Sequence, residues 1–199
     1  MDENTVATYD MHAQRYAAKW LGKPMPAETR AAVAVAFQPG LSTLDIGSGS
    51  GRDVDWLVAN GYPTVGIEAS ATMLAVARGA FPEHMFLLDS LPALASTTRK
   101  AHQVLCRNVL MHLPPHAQPD AVSRLLALLE PAGALVLTWR MDTDAGSARD
   151  QDGRLYAHVD PQAVQGALDR AGAAVHSRTV AKSGSSGKEI AVWVIRAGR

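Results

Sequence analysis

The 199-residue chain has one cysteine, Cys106, which excludes an intramolecular disulfide and any zinc site built from clustered cysteines. It has no excess of either charge: Lys plus Arg and Asp plus Glu each number 19. A strongly basic nucleic-acid-binding surface is therefore not expected, although RNA as a substrate is not excluded. It has no apolar run of membrane-spanning length, and its start, Met1-Asp2-Glu3-Asn4, is acidic where a signal peptide is basic and then apolar. A cytoplasmic protein with no membrane partner is expected. No long linker or low-complexity tract is present, and with 47% apolar residues the chain can bury one sizeable core, so a single domain over residues 1–199 is expected.

What the chain does have is Leu44-Asp45-Ile46-Gly47-Ser48-Gly49-Ser50-Gly51-Arg52-Asp53, an apolar strand running into three alternate glycines and then a helical pattern. Glycines let a backbone approach a ligand more closely than a Cβ permits, and the helix that follows presents amide donors and a partial positive charge. Downstream, one grammar recurs. Tyr62 to Ile67 ends at Glu68, Met85 to Leu88 ends at Asp89, and Gln103 to Arg107 ends at Asn108. The separations are each about twenty residues, one strand plus one crossover. Polar groups at the carboxyl ends of parallel strands are where open α/β sheets bind ligands.

Asp45 to Asp53, Glu68-Ala69-Ser70, Asp89, and Cys106 through Pro114 together resemble the ordered motifs of class I S-adenosylmethionine-dependent methyltransferases, over roughly Leu41 to Trp139. The resemblance implies a Rossmann-like, seven-stranded, mostly parallel α/β sheet with an antiparallel C-terminal hairpin, helices on both faces and a helical lid over residues 1–40. It implies S-adenosylmethionine as cofactor, with Gly47, Ser48, Gly49 and Gly51 around its methionine part and Asp45 buttressing the turn. Glu68, followed by Ala69, would accept the ribose hydroxyls, and Asp89 the adenine amine. Ser90 and Leu91 would flank the ring, Met73 would pack on its other face, and the Asn108 carbonyl would line the sulfonium end. Met73 also reads as core packing on a helix capped by Ser70.

Outside the motifs, Val6 to Trp20 and Ala27 to Phe37 read as two helices split by Gly22-Lys23-Pro24-Met25-Pro26. Tyr9 and Tyr16 share a face of the first, where their hydroxyls, that of Tyr16 above all, contact the cofactor carboxylate or shut water out, or the helix simply packs on the sheet; Arg15 and Lys19 read as solvated. Val54, Leu57 and Val58 mark the inward face of the helix after the glycines. A helix opens at Pro119-Asp120, and Pro131-Ala132-Gly133 stops it before a strand Ala134 to Trp139. Asp160-Pro161 caps the last helix, and Val175 to Ala181 and Ile190 to Ile195 form the closing strands.

Methyl transfer from a sulfonium needs alignment first and a base only when the acceptor carries its proton. His112, Arg140 and His158 fall near the methyl end, and His112 and Arg140 are the candidate catalytic residues. His112 and His116 have ligand spacing, but Pro114-Pro115 breaks the helix it requires, so no metal is expected. The polar stretch Arg140 to Tyr156, with Asp142, Asp144, Gly146, Asp150 and Asp152, reads as an irregular loop carrying specificity, its aspartates solvated or binding a cationic amine. A small-molecule acceptor is expected; neither its reacting atom nor the oligomeric state is readable. A nicotinamide oxidoreductase is disfavoured, since no Tyr-x-x-x-Lys pair appears and the glycines lack the longer second gap. A silent methyltransferase-like binding or regulatory protein is the other alternative.

Overall fold

A computed structural model describes residues 1–141, 148–183 and 187–198. Its sheet is built from β1 (Thr43–Ile46), β2 (Thr64–Glu68), β3 (Met85–Leu88), β4 (Ala101–Arg107), β5 (Leu129–Arg140), β8 (Ala174–Lys182) and β9 (Glu189–Arg196), in the order β3-β2-β1-β4-β5-β9-β8. The pairs among β1 to β5 are parallel, and β9 runs antiparallel to both its neighbours. This is the expected α/β sheet with its closing hairpin. A second ladder pairs β6 (Ala148–Arg149) with β7 (Leu155–Tyr156).

Period-two alternation gives the sheet two apolar faces. Along β5, Leu135, Leu137 and Trp139 join one cluster, with Leu125 of α5 (Gln118–Ala127) and Leu168 of α6 (Pro161–Arg170). Ala134 and Val136 point the other way, onto Val33 of α2 (Ala27–Ala36) and Leu57 of α3 (Arg52–Ala59). Local chemistry fixes the ends of these helices. Ser70 accepts from the Met73 amide to open α4 (Ala71–Ala80), and Asp160 accepts from the Gln162 amide to open α6 with Pro161 in its first turn. Gly66 stays a glycine because a Cβ there would lie 2.5 Å from the Phe86 ring.

Three local readings change. Val58 is exposed, so the inward face of α3 is Val54 and Leu57. β5 begins at Leu129, ahead of the expected Ala134, with Pro131 to Gly133 carried as an irregularity where the β4 register shifts. Part of the Arg140 to Tyr156 stretch is the β6–β7 ladder; Asp142, Asp144 and Gly146 lie outside the described residues.

Register positions the site. Ile46 sits beside Ile67 and Cys106, so Gly47, Glu68 and Arg107 emerge at one rim. Glu68 pairs with Leu88, and the Asp89 amide donates to the Glu68 carbonyl at 3.1 Å. The helix α1 (Glu3–Trp20) crosses above this rim and is latched on both sides. Asp10 accepts from the Ser70 hydroxyl (2.6 Å) and the Thr72 amide (3.0 Å) on α4. Asp2 takes Arg149 in a bidentate pair at 2.8 and 2.9 Å, and Tyr16 donates to Asp152 at 2.6 Å.

Candidate active site

Between α1 and the carboxyl ends of β1, β2, β3 and β4 lies a cavity of about 430 Å³. Of the residues singled out from sequence, Tyr16, Gly47, Ser48, Gly49, Glu68, Ala69, Met73, Asp89, Ser90, Leu91, Asn108, His112 and Arg140 all border it. Asp45 and Gly51 do not border it. Gly51 caps α3 at φ +85°, and a Cβ on it would lie 2.8 Å from Phe86, so its role in the structure is the turn and the packing behind it. His158 is also outside; its carbonyl accepts from Gln118.

The glycine loop spends its own amides internally. Gly47 and Ser48 donate to the Ile67 carbonyl, Gly51 to the Ser48 carbonyl, and Gly49 to Oε2 of Glu68 at 2.8 Å. The Ser70 amide donates to Oε1 of Glu68 at 2.9 Å. The Glu68 carboxylate is thus clamped by the backbone with one bond to each oxygen, and each oxygen retains acceptor capacity. Burial raises its pKa, against the pull of the Ser70, Gly49 and Ala69 amides. Asp89 uses its carboxylate to organise the loop after β3, accepting from the Ser90 and Ser96 amides and the Thr97 hydroxyl.

Beneath the loop sits a charged cluster. Asp53 accepts from Arg52 Nε at 2.8 Å and Arg107 Nε at 2.6 Å. Burial pushes the Asp53 carboxyl up, but the Arg107 and Arg52 guanidiniums outweigh it and hold the pKa low. Asp45, a neighbour with its Oδ2 lacking a hydrogen-bond partner among the described residues, is pushed up to about 8, first by burial and then by Asp53. Arg52, Asp53 and Arg107 all border the cavity. An ion cluster joining residues 54 apart has no local signature, so in the sequence Arg52 and Asp53 mark only a helix start and Arg107 only a strand.

At the far end, His112 is buried and doubly engaged. Its Nδ1 lies 2.6 Å from the Leu155 carbonyl, which can only accept, so Nδ1 carries the proton and Nε2 accepts from the Tyr9 hydroxyl at 3.2 Å. Burial pushes the imidazole down to about 4, so it is neutral at pH 7. Tyr9 in turn accepts from Arg154, whose fork is held by Asp150. Arg154, Tyr156, Lys19 and Trp20 also line the cavity; no local signal in the sequence marks the first, third or fourth, and Tyr156 closes the stretch read as carrying specificity. Arg15, read as solvated, pairs with Asp152 at 2.5 Å.

The residues present fit a sulfonium nucleoside on observations of this cavity alone. A backbone-clamped carboxylate with spare acceptor sites suits a vicinal diol. Ser48 and Gly49 bring the loop backbone to the cavity wall beside that carboxylate. The sequence model of a methyltransferase domain family matches residues 43–133, the stretch that holds the loop, Glu68, Asp89 and His112. Residues 43–133, a little under half of the chain, are thus similar to a methyltransferase domain, and the whole chain has a fold found in methyltransferases of known structure. Among known proteins, trans-aconitate 2-methyltransferase of Variovorax paradoxus strain S110 is 33% identical to this chain over 97 residues, 47% of this chain and 36% of that protein. The match spans little more than a third of that curated relative's length. The solved CcbJ methyltransferase from Streptomyces caelestis superposes with a TM-score of 0.77 at 20% identity, covering 99% of this chain and 100% of its own. The [4+2]-cyclase SpnF superposes with a TM-score of 0.76 at 14% identity, covering 96% and 94%. At these identities the two structural likenesses are likenesses of fold.

Proposed function

We propose that this protein transfers the methyl group of S-adenosylmethionine to a small-molecule acceptor bound under α1. The observation that carries the reading is the clamped Glu68 carboxylate, which shares one cavity with the glycine loop and with the strand end at Asp89. In this reading Glu68 holds the ribose, Ser90, Leu91 and Met73 enclose the adenine, and the loop from Gly47 to Gly49 receives the methionine part. Bound there, the cofactor supplies an electrophilic methyl group on sulfur. The chain's own contribution is orientation and exclusion of water: Tyr9, Tyr16 and Trp20 of α1 roof the cavity. Asn108, held at φ +57° with its amide on the Thr138 carbonyl, presents its backbone toward the transferring end. The acceptor named for the curated relative, trans-aconitate, is a small molecule and supports an acceptor of that size.

A calorimetric titration tests the reading. One S-adenosylhomocysteine bound per chain, no NAD bound, and label passing from methyl-labelled cofactor to a small-molecule fraction is the expected result. NAD binding in its place would contradict it. A second reading, a domain that binds the cofactor and does not methylate, is favoured by one observation: a [4+2]-cyclase shares this fold. Binding without label transfer would support it.

A further inference from the structure

A group of ligating side chains lies outside the cavity, behind the glycine loop. Asp55 stands in the first turn of α3, its amide donating to the Gly51 carbonyl at 2.9 Å. Glu83 and His84 stand in the turn between α4 and β3, which the His84 amide closes on the Phe81 carbonyl at 3.1 Å. The fold thus joins positions 29 apart. His84 Nε2 lies 3.2 Å from Oδ1 of Asp55 and 3.7 Å from Oε1 of Glu83. The three ligand atoms all lie within 4.8 Å of one another.

The imidazole is held in place before any ligand arrives. Its side chain is only 9% exposed, and the Phe81 ring stacks on it at 5.7 Å with 17° between the planes. Nε2 carries at most one hydrogen, so a hydrogen bond to Asp55 leaves the second carboxylate uncompensated. A cation between the three serves all of them. Ligand atoms about 2.0 to 2.2 Å from one ion sit roughly 3.0 to 3.5 Å apart at tetrahedral or octahedral angles. The His84–Asp55 separation is already in that range, and Glu83, an exposed side chain, has the freedom to close the remainder. Charge agrees, since two carboxylates and a neutral imidazole balance one divalent ion. Imidazole suits zinc-like transition ions, whereas magnesium and calcium take oxygen ligands.

We propose that Asp55, Glu83 and His84 form a site for a divalent transition-metal ion of the zinc class, with water completing its coordination. The ion is a clip that pins the first turn of α3 to the turn ahead of β3. Phe81 connects that clip to the rim: its ring stacks on His84 and lies 3.0 Å from where a Cβ on Gly51, the residue that caps α3, would stand. The proposal is independent of the methyl-donor reading.

The test is calorimetric titration of ZnCl₂, CoCl₂, MgCl₂ and CaCl₂ into the full chain, free of affinity tags and stripped with a chelator. Zn²⁺ and Co²⁺ should each saturate at one ion per chain, and Mg²⁺ and Ca²⁺ should not bind saturably. Asp55→Asn, Glu83→Gln and His84→Gln should each weaken Zn²⁺ binding about tenfold or more. Zn²⁺ should also raise the melting temperature of the wild type by an amount that grows with its concentration, and raise that of each variant less. Asp55 and Glu83 are half-exposed and exposed, so their variants keep the fold even if His84→Gln does not. No saturable Zn²⁺ binding, unchanged Zn²⁺ affinity in either Asp55→Asn or Glu83→Gln, or equal binding of Mg²⁺ overturns the proposal.

Discussion

His112 is neutral because the fold gives both ring nitrogens a partner and takes water from around them, and this has a consequence for stability. Its folded pKa is about 4 against an ordinary 6.5, with burial the main cause. Between those values the unfolded chain holds a proton that the folded chain refuses, so this residue's contribution rises with pH from about 4 to 6.5 and is flat above. The swing is about 3 kcal/mol at most. Asp45 has the opposite sign: folded, it keeps its proton to about 8 while the unfolded chain releases it near 3.8, so its contribution falls as pH rises through that window. Urea unfolding of wild type and His112→Gln from pH 4 to 8 isolates the histidine. The difference between them should grow in favour of the wild type up to about pH 6.5 and then level. A difference independent of pH would mean that the imidazole is not held neutral by the fold.

At the scale of elements, α1 matters most, because it closes the cavity and depends on contacts distant in sequence. The Tyr16–Asp152 bond joins positions 136 apart and the Asp2–Arg149 pair positions 147 apart. The latch on α4 is a single carboxylate, Asp10, shared between the Ser70 hydroxyl and the Thr72 amide. Asp10→Ala removes both bonds, each worth about 1 kcal/mol, so protection of the α1 amides against hydrogen exchange should fall about tenfold or more. The amides of β1 and β4 should be unaffected. Uniform loss of protection would show that α1 is part of the global core, and no loss would show that Asp10 is not the latch.

For the molecule as a whole, the strand ends were legible and the roof was not. The glycines, Glu68 and Asp89 lie within about one strand and one crossover of each other, and parallel register carries them to one rim. The capping of α4 by Ser70 is also legible, since it depends on one side chain at one position. The hairpin β6–β7 leaves no mark in the sequence, because two-residue strands give too little alternation to recognise. Nothing local to a charged residue in a polar stretch announces the three tyrosine rings around Arg154.

Cofactor binding in the proposed function depends on Glu68 gripping a ribose at that rim. Titration of S-adenosylhomocysteine into wild type and Glu68→Ala tests this most directly. The wild type should bind one molecule per chain and the variant should bind it about 1 to 3 kcal/mol more weakly, the cost of unpaired hydroxyls. Wild-type affinity in a folded Glu68→Ala protein would contradict the account.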